Sequence, residues 1–480
     1  MSVKINSFIE KFCREIKDNN VAIFAGAGLS IPAGYVNWSD LLKPLAEEIN
    51  IDITKENDLV SLAQYYKNET NSRSEINRII IDEFSNEKDL TKNHEILAQL
   101  PISTYWTTNY DSMIEDSLKK FGRKPDVKYT VNQLTTTRPK RDAVVYKMHG
   151  DKNHPDNAII LKEDYEIYSQ KYEPFLTALS GDLTSKTFLF IGLSFTDPNL
   201  DYILSRVRIR YGENQRTHYA FVKLVEEKEC ESDVDFHYLK RKQELFINDL
   251  KRYNIQPLII SSYSEITSIL TKIQKCINKD RVFISGSACE YGDYTDEEAD
   301  DFIYNLSKRF IKEGYSIVSG FGLGVGSLVI SGALEEIYMN QQSINEDQLL
   351  LRPFPQKTLE TENIQDLWNK YRKDMISKIG IAIFLFGNKI SDNGAINANG
   401  VYKEFEIAKE DDKIIVPVGV TGYMSKVIWN EVNDNFEKFY PQSSERLREL
   451  FNKLNSLEEK NSIIDIIINF IEEAKKCLYK

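Results

Sequence analysis

Val21–Ser30 reads VAIFAGAGLS, a short apolar run that leads directly into Gly26-Ala27-Gly28. A helical pattern follows at Asp40–Ile49, with Ser39 at the position of its cap. A buried strand, a tight turn and a helix in this order are typical of loops whose backbone amides face a phosphate. The stretch therefore predicts a parallel α/β domain that binds a nucleotide.

The composition is that of a large globular protein. The chain has 480 residues, of which 41% are hydrophobic and 28% are charged, so we expect two or more domains. Its formal net charge of −12 would repel nucleic acid and anionic membranes, and we expect neither as a partner. No apolar stretch reaches the roughly 20 residues of a membrane span, and Met1–Phe12 has a helical pattern rather than that of a signal peptide. We expect a cytoplasmic protein.

The five cysteines are scattered, and no two of them form the close pair that zinc sites use. Their odd number and wide spacing indicate reduced thiols, as in the cytosol. We therefore expect no bound metal. The cysteines are Cys13, Cys230, Cys276, Cys289 and Cys477.

Strand and helix patterns alternate along almost the whole chain and restart near residue 279, where Arg281–Ser285 forms a new apolar strand. Two doubly wound, Rossmann-like α/β domains, residues 1–278 and 279–480, explain this most simply. Residues from about 40 to 100 show helical patterns but no convincing strand. That is too long for a simple crossover, so we interpret the region as a helical insertion.

Unusual residues follow four predicted strands of the first domain: Gly26-Ala27-Gly28, Asn109, His149 and Gly192. Because the carboxyl ends of parallel strands meet at one edge of a sheet, we expect these residues to form one site. Turn geometry alone explains many Gly and Asn residues in such loops, and a lone histidine is more often structural. The set, rather than any single member, indicates a site.

Three of these motifs resemble the SIR2 (sirtuin-type) NAD-binding domain: GAGLS at Gly26–Ser30, TTNYD at Thr107–Asp111, and the His149-Gly150 pair. The resemblance covers residues 1–278. It implies that Asn109 contacts the nicotinamide ribose and positions water or the departing base, and that His149 is the general base on a ribose hydroxyl. Asp111 would orient the loop and the ribose. The remaining NAD contacts would be made by Ala25, Gly26, Ala27, Gly28, Ser30, Gly192, Leu193 and Ser194.

The chain departs from the protein deacylases of that family in two respects. It lacks the four-cysteine zinc module, and Ile31–Trp38 reads IPAGYVNW where those enzymes carry an Asp-Phe-Arg element. Cleavage of the nicotinamide–ribose bond needs only orientation, desolvation and a base, which leaves NAD hydrolysis as the expected reaction. A deacylase or ADP-ribosyltransferase, and a non-catalytic nucleotide-binding scaffold, remain as alternatives.

The second domain resembles the SLOG/LOG superfamily, whose Rossmann-like units bind nucleotide-derived ligands. The motifs are VFISGSA at Val282–Ala288, GFGLGVG at Gly320–Gly326, the segment Tyr371–Met375, and Gly400–Glu404. The PGGxGT loop of the hydrolases is replaced by NGAINANG at Asn393–Gly400, so the resemblance implies a sensor rather than a second enzyme. Its ligand residues would be Gly286, Ser287, Gly322, Gly324, Arg372, Lys389 and Glu404.

The same residues also allow an interpretation without a ligand, in which Arg372 is a solvated cation on a helix and Glu404 is a surface residue. The ligand site is favoured because the binding frame is retained where the hydrolase loop is lost. The order of the two domains is similar to that of the effectors of Thoeris anti-phage defence systems. That likeness implies an NAD hydrolase activated by a cyclic ADP-ribose isomer, which a TIR-domain protein makes. It also implies a homo-oligomer, a tetramer or larger.

Overall fold

The computed structural model describes residues 4–56, 58–340, 348–355, 363–392 and 394–478. Within these ranges the chain divides into two compact units, Met1–Ile277 and Asn278–Lys480. None of the described helices is both long and apolar enough to cross a bilayer.

The first unit alternates strands and helices around one sheet. In chain order its elements are α1 (Ile5–Lys17), β1 (Val21–Ala25), α2 (Trp38–Glu48), α3 (Leu59–Thr70), α4 (Ser74–Phe84), α5 (Lys92–Gln99), β2 (Thr104–Thr107), α6 (Met113–Lys120), β3 (Pro125–Lys128), α7 (Val131–Leu134), β4 (Ala143–Lys147), α8 (Lys162–Lys171), α9 (Glu173–Ser185), β5 (Thr187–Ile191), α10 (Pro198–Tyr211), β6 (His218–Lys223), α11 (Asp233–Arg252), β7 (Ile255–Ile260) and α12 (Ser264–Asn278).

The sheet of this unit is parallel throughout, with the strand order β3-β4-β2-β1-β5-β6-β7. Side chains of β1 alternate between two cores: Val21, Ile23 and Ala25 pack in one, Ala22 and Phe24 in the other. Burial on both faces explains why the strand is a continuous apolar run. The expected doubly wound α/β fold is confirmed.

The segment after the glycine turn differs from the prediction. Two short 3-10 turns follow, at Ala27–Leu29 and Ile31–Ala33, so the turn does not lead directly into a helix. The next helix, α2, begins at Trp38, and Asn37 rather than Ser39 caps it, accepting a hydrogen bond from the Asp40 amide at 2.9 Å. The predicted cap was therefore wrong.

Helices α2 to α4 pack around a separate hydrophobic cluster, which also includes residues that follow β2 and β4. Helix α5 packs instead in one of the two cores that β1 contributes to. An ion pair of 3.0 Å between Arg73 and Asp164 ties the insertion to the start of α8. Asp164 also accepts a hydrogen bond from the Leu161 amide. The insertion is thus attached by a partly buried charge pair close to the loop that follows β4.

The second unit contains a smaller sheet. Its elements are β8 (Arg281–Ser287), α13 (Asp296–Lys312), β9 (Ser316–Ser319), α14 (Gly326–Asn340), β10 (Leu349–Leu351), α15 (Ile364–Ser377), β11 (Ile381–Phe386), β12 (Asn388–Ser391), β13 (Gly394–Asn397), α16 (Asn399–Glu410), β14 (Ile414–Pro417), α17 (Tyr423–Asp434), α18 (Phe436–Phe439), α19 (Glu445–Lys453) and α20 (Ile463–Leu478).

This sheet is also parallel, in the order β10-β9-β8-β11-β14. The order reverses between β8 and β11, which is where open α/β sheets bind ligands. Strands β12 and β13 form a separate antiparallel hairpin, and β13 lies in the stretch Asn393–Gly400. The sequence pattern did not predict this hairpin, and its residue Asn393 lies outside the described ranges.

Three glycines let the turn after β1 pack directly on the end of β5. The Gly28 amide donates to the Gly192 carbonyl at 2.9 Å. A Cβ on Gly192 would lie 2.3 Å from the Leu29 nitrogen, and one on Gly26 would lie 2.4 Å from the Gly192 oxygen. Gly192 also has a φ of +67°, which disfavours other residues. These glycines are therefore required by the backbone packing itself.

We expect Gly192→Ala to lower the free energy of unfolding of the protein by about 2 kcal/mol or more, because the new methyl strains φ and overlaps the turn. Urea unfolding followed by circular dichroism measures this. Gly181→Ala in α9 is the matched control, since an added Cβ there meets nothing within 4 Å. It should be neutral or stabilising by up to about 1 kcal/mol. Equal effects of the two substitutions would contradict the packing argument.

Candidate functional site

The four strand ends singled out in the sequence belong to neighbouring strands. Ala25 of β1 is in register with Thr107 of β2 and with Ile191 of β5, and Thr107 is in register with Lys147 of β4. The candidate residues follow this row, so they all lie at the carboxyl edge of β4-β2-β1-β5. The topology thus brings the four loops together, as a ligand site in an open parallel sheet requires.

Asn109 is bound to the glycine turn. Its side-chain Nδ2 donates to the Gly26 carbonyl and to Ser30 Oγ, each at 3.2 Å. Its backbone amide donates to Thr107 Oγ1 at 3.0 Å. Ser30 is buried. These bonds do not use the amide oxygen of Asn109, which therefore remains to orient a ligand or a water molecule.

Asp111 has a local structural role. It is buried, and its Oδ1 accepts a hydrogen bond from the Met113 amide at 2.9 Å, at the start of α6. Its carbonyl accepts a hydrogen bond of 2.6 Å from Lys147 Nζ. Any effect of Asp111 on a ribose would therefore pass through the shape of this loop.

Lys147 is a fully buried cation that sequence reasoning missed. Its ammonium pairs with Glu115 at 3.1 Å and with Asp151, and it donates to the Tyr110 carbonyl. Burial alone would lower the pKa of Lys147, but the two carboxylates raise it above its usual value. The available signal was a lysine inside the otherwise apolar strand AVVYKM. Lys147 joins the loops after β2 and β4.

His149 lies in a closely packed setting at the end of β4. Its ring meets Tyr165 edge to face, with 5.6 Å between the centroids, and its carbonyl accepts the Ile159 amide at 2.9 Å. Nε2 lies 2.9 Å from Oδ2 of Asp197, although the orientation of the ring leaves Nε2 without a well-aligned acceptor. Asp197 also caps α10, because its Oδ1 accepts a hydrogen bond from the Leu200 amide at 2.8 Å.

The loop after β5 places the remaining predicted residues differently. Gly192 packs against the glycine turn, where its carbonyl accepts a hydrogen bond from the Gly28 amide. Ser194 is exposed, and its hydroxyl lies 2.7 Å from that of Thr196. Phe195 between them has a φ of +60°, a conformation that is uncommon for an aromatic residue. Ser194 thus remains accessible to a ligand at this edge.

In the second unit, two adjoining cavities of about 130 and 220 Å³ lie beside the carboxyl ends of β8 and β9. Gly320 and Phe354 line both. Of the predicted ligand residues, Gly286, Ser287, Gly322 and Glu404 line the smaller cavity and Arg372 lines the larger. The structure therefore brings five of the seven together.

The other two predicted residues lie apart. Lys389 is exposed on β12, and neither it nor Gly324 lines the described cavities. Gly324 has a φ of +72°, and a Cβ there would lie 2.1 Å from the Ala288 oxygen. Backbone packing therefore explains Gly324 without a ligand.

Arg372 and Glu404 form a buried pair, so the interpretation of both as solvated residues is wrong. Arg372 Nε lies 3.4 Å from Glu404 Oε1, with the guanidinium 5.0 Å from the centroid of the Phe354 ring. Glu404 Oε2 accepts a hydrogen bond of 2.6 Å from Ser285. Burial raises the pKa of Glu404 even though Ser285 and Arg372 oppose it. A buried cation beside a cavity is suited to a phosphate.

No group of three or more His, Cys, Asp or Glu side chains in the described part of the chain is arranged to hold a metal ion. None of the described cysteines forms a disulfide.

Comparison with protein families identifies both units. A model of SIR2-like domains matches residues 103–257, and a model of the Sir2- and TIR-associating SLOG family matches residues 265–474. Both resemblances deduced from the motifs are therefore confirmed.

Several full-length relatives carry the name NAD(+) hydrolase ThsA. One from Bacillus cereus (strain MSX-D12) is 55% identical over 98% of this chain and 99% of its own length. Another, from Acinetobacter baumannii (strain 532279), is 48% identical over 93% and 94%. A third, from Enterococcus faecium, is 41% identical over 98% of each chain. At this identity and coverage, the chain belongs to the ThsA family.

Proposed function

We propose that this protein hydrolyses NAD⁺ to nicotinamide and ADP-ribose at the edge formed by β4, β2, β1 and β5. The observation that carries the proposal is the attachment of Asn109 to the glycine turn, with His149 on the next strand. The ThsA relatives are named as hydrolases of this substrate. A nucleotide diphosphate would lie along the turn from Ala25 to Ser30.

The reaction breaks the bond between ribose C1′ and the nicotinamide nitrogen. The bonding electrons leave with nicotinamide, and positive charge develops on the ribose. Water then adds at C1′ and passes a proton to a ribose hydroxyl, which gives up its own proton. The Asn109 amide oxygen orients this water or the departing base, and His149 accepts a proton from a ribose hydroxyl. Close packing around His149 keeps other water away, which favours the ordered attack.

Two other functions would use the same fold. A deacylase or ADP-ribosyltransferase would release nicotinamide only when an acyl-lysine or protein co-substrate is present. A non-catalytic scaffold would bind NAD⁺ without turnover. Incubating the purified protein with NAD⁺ alone and identifying the products separates all three, because only a hydrolase yields free ADP-ribose from NAD⁺ and water.

We also propose that the second unit binds a cyclic ADP-ribose isomer that activates hydrolysis. The buried Arg372 beside the cavity offers a desolvated cation to its phosphates, and Glu404 can accept from ribose hydroxyls. The SLOG family that matches this unit is described as Sir2- and TIR-associating, which favours a TIR-domain protein as the source of the signal. The active form would be a homo-oligomer, a tetramer or larger, in the cytoplasm, and NAD depletion would stop phage growth.

Asn109→Ala and His149→Ala should each lower the rate of NAD⁺ hydrolysis about 100-fold or more, because they remove the water-orienting amide and the base. Nicotinamide and ADP-ribose are measured by chromatography in the presence of activator. His237→Ala is the control, since its side chain is 69% exposed on α11. Variants of Asn109 and His149 with the wild-type rate would show that the site is wrongly assigned.

Arg372→Ala should abolish the increase in NAD⁺ hydrolysis caused by cyclic ADP-ribose isomers, since the phosphates lose their cation. Arg372→Lys should retain part of the response, because it keeps the charge but not the two-pronged geometry. Lys370→Ala, an exposed cation on the same helix, is the control for charge. Binding is measured by calorimetry with each isomer. Full activation of Arg372→Ala would place the signal site elsewhere.

A further inference from the structure

We propose that Asp197 is a positioning residue for His149: its carboxylate keeps a proton on Nε2 of the imidazole, so that Nδ1 is the atom that accepts the substrate proton. The inference rests on the proposed hydrolysis at this site and goes beyond it by adding a residue and a tautomer. Asp197 does not touch the reacting atoms in this scheme and acts only through His149.

The two oxygens of Asp197 have separate partners. Oδ1 accepts the Leu200 amide at 2.8 Å and so caps α10. Oδ2 lies 2.9 Å from His149 Nε2 and 3.4 Å from the Tyr165 hydroxyl. The carboxylate therefore joins three segments of the first unit: the end of β4, helix α8 and the start of α10. Its place is determined by the helix cap, which makes it a rigid partner for the imidazole.

Burial gives the contact its strength. The side chain of Asp197 is 11% exposed and that of His149 is 8% exposed. Burial by itself would raise the pKa of Asp197, but His149 and the amides of Leu200 and Asn199 hold it below its usual value. The carboxylate therefore stays charged beside the ring. A charged acceptor in a poorly solvated place selects strongly for an N–H on the facing nitrogen.

With Nε2 of His149 beside Asp197, Nδ1 is the ring nitrogen that remains for the substrate. Tyr165 packs against the ring edge to face at 84°, which restricts its rotation. The remaining titratable groups near Asp197 are tyrosines, Tyr110 and Tyr168, whose pKa values are raised mainly by burial. They stay neutral and do not compete for the histidine proton.

A helix cap alone does not require a negative charge here. Asparagine caps helices about as well as aspartate, so Asp197→Asn should keep α10 in place while losing the charge that faces His149. This separates the two roles of the residue. Asp58→Asn is the matched control, because Asp58 caps α3 in the same unit by accepting the Ser61 amide at 3.0 Å.

We expect Asp197→Asn to lower kcat for NAD⁺ hydrolysis by about 100-fold while the KM changes less than about 3-fold. The melting temperature should match that of the wild type, and Asp58→Asn should keep the wild-type kcat. A kcat for Asp197→Asn within about 3-fold of the wild type would overturn the inference.

Histidine ¹⁵N spectra give a readout that does not depend on activity. The chain has five histidines, so selective labelling is simple, and His149→Ala assigns the signal. The wild type should show the Nε2–H form. Asp197→Asn should show the Nδ1–H form, because its oxygen keeps the helix cap while its NH2 group faces Nε2. An unchanged tautomer in Asp197→Asn would also overturn the inference. Failure of the proposed function looks different, since His149→Ala would then hydrolyse NAD⁺ at the wild-type rate.

Discussion

The backbone contact between the turn after β1 and the end of β5 is the constraint on which the first site depends. Gly28 donates to the Gly192 carbonyl, and there is no room for a Cβ between the two segments. The turn therefore has one position over the edge of the sheet. Asn109 bonds to this turn through Gly26 and Ser30, so its place follows from the glycine packing. A loop held in this way needs little reorganisation when it binds a ligand.

Buried charges secure the neighbouring loops. Lys147 joins the loops after β2 and β4 through Asp151 and the Asp111 carbonyl, and Asp197 joins the end of β4 to α10 through His149. Removing one partner of a buried pair typically costs about 3–5 kcal/mol. The loops around His149 are therefore unable to move independently at low cost. Loops that are held in place in this way favour a site that acts by orienting its ligand.

The second unit also contains a buried charge pair, but this pair lies beside a cavity. Arg372 and Glu404 are already desolvated in the absence of a ligand. A phosphate that enters the cavity meets a cation whose hydration has already been lost, which makes the interaction stronger than at the surface.

Much of the fold could be predicted because its signals are local. The sequence pattern predicts a strand over Ser316–Ser319 and a helix over Ile364–Ser377, and these are the bounds of β9 and α15. Strand β3 was missed because its residues PDVK carry no apolar run, as is common at a sheet edge. The sequence pattern also predicts a single helix over Tyr165–Leu183, but the structure has two helices there, α8 and α9. They separate at Tyr172, and Pro174 lies in the first turn of α9.

The sequence by itself determined the alternating α/β pattern, the two units and the motifs that follow four strands, because periodicity and turn residues act over short distances. It could not reveal which side chains meet. The pairs His149–Asp197 and Arg372–Glu404 join residues 48 and 32 positions apart, and only the strand order brings them together. Long-range contacts of this kind carry no local signature, so the tertiary structure alone decided the chemistry around each site.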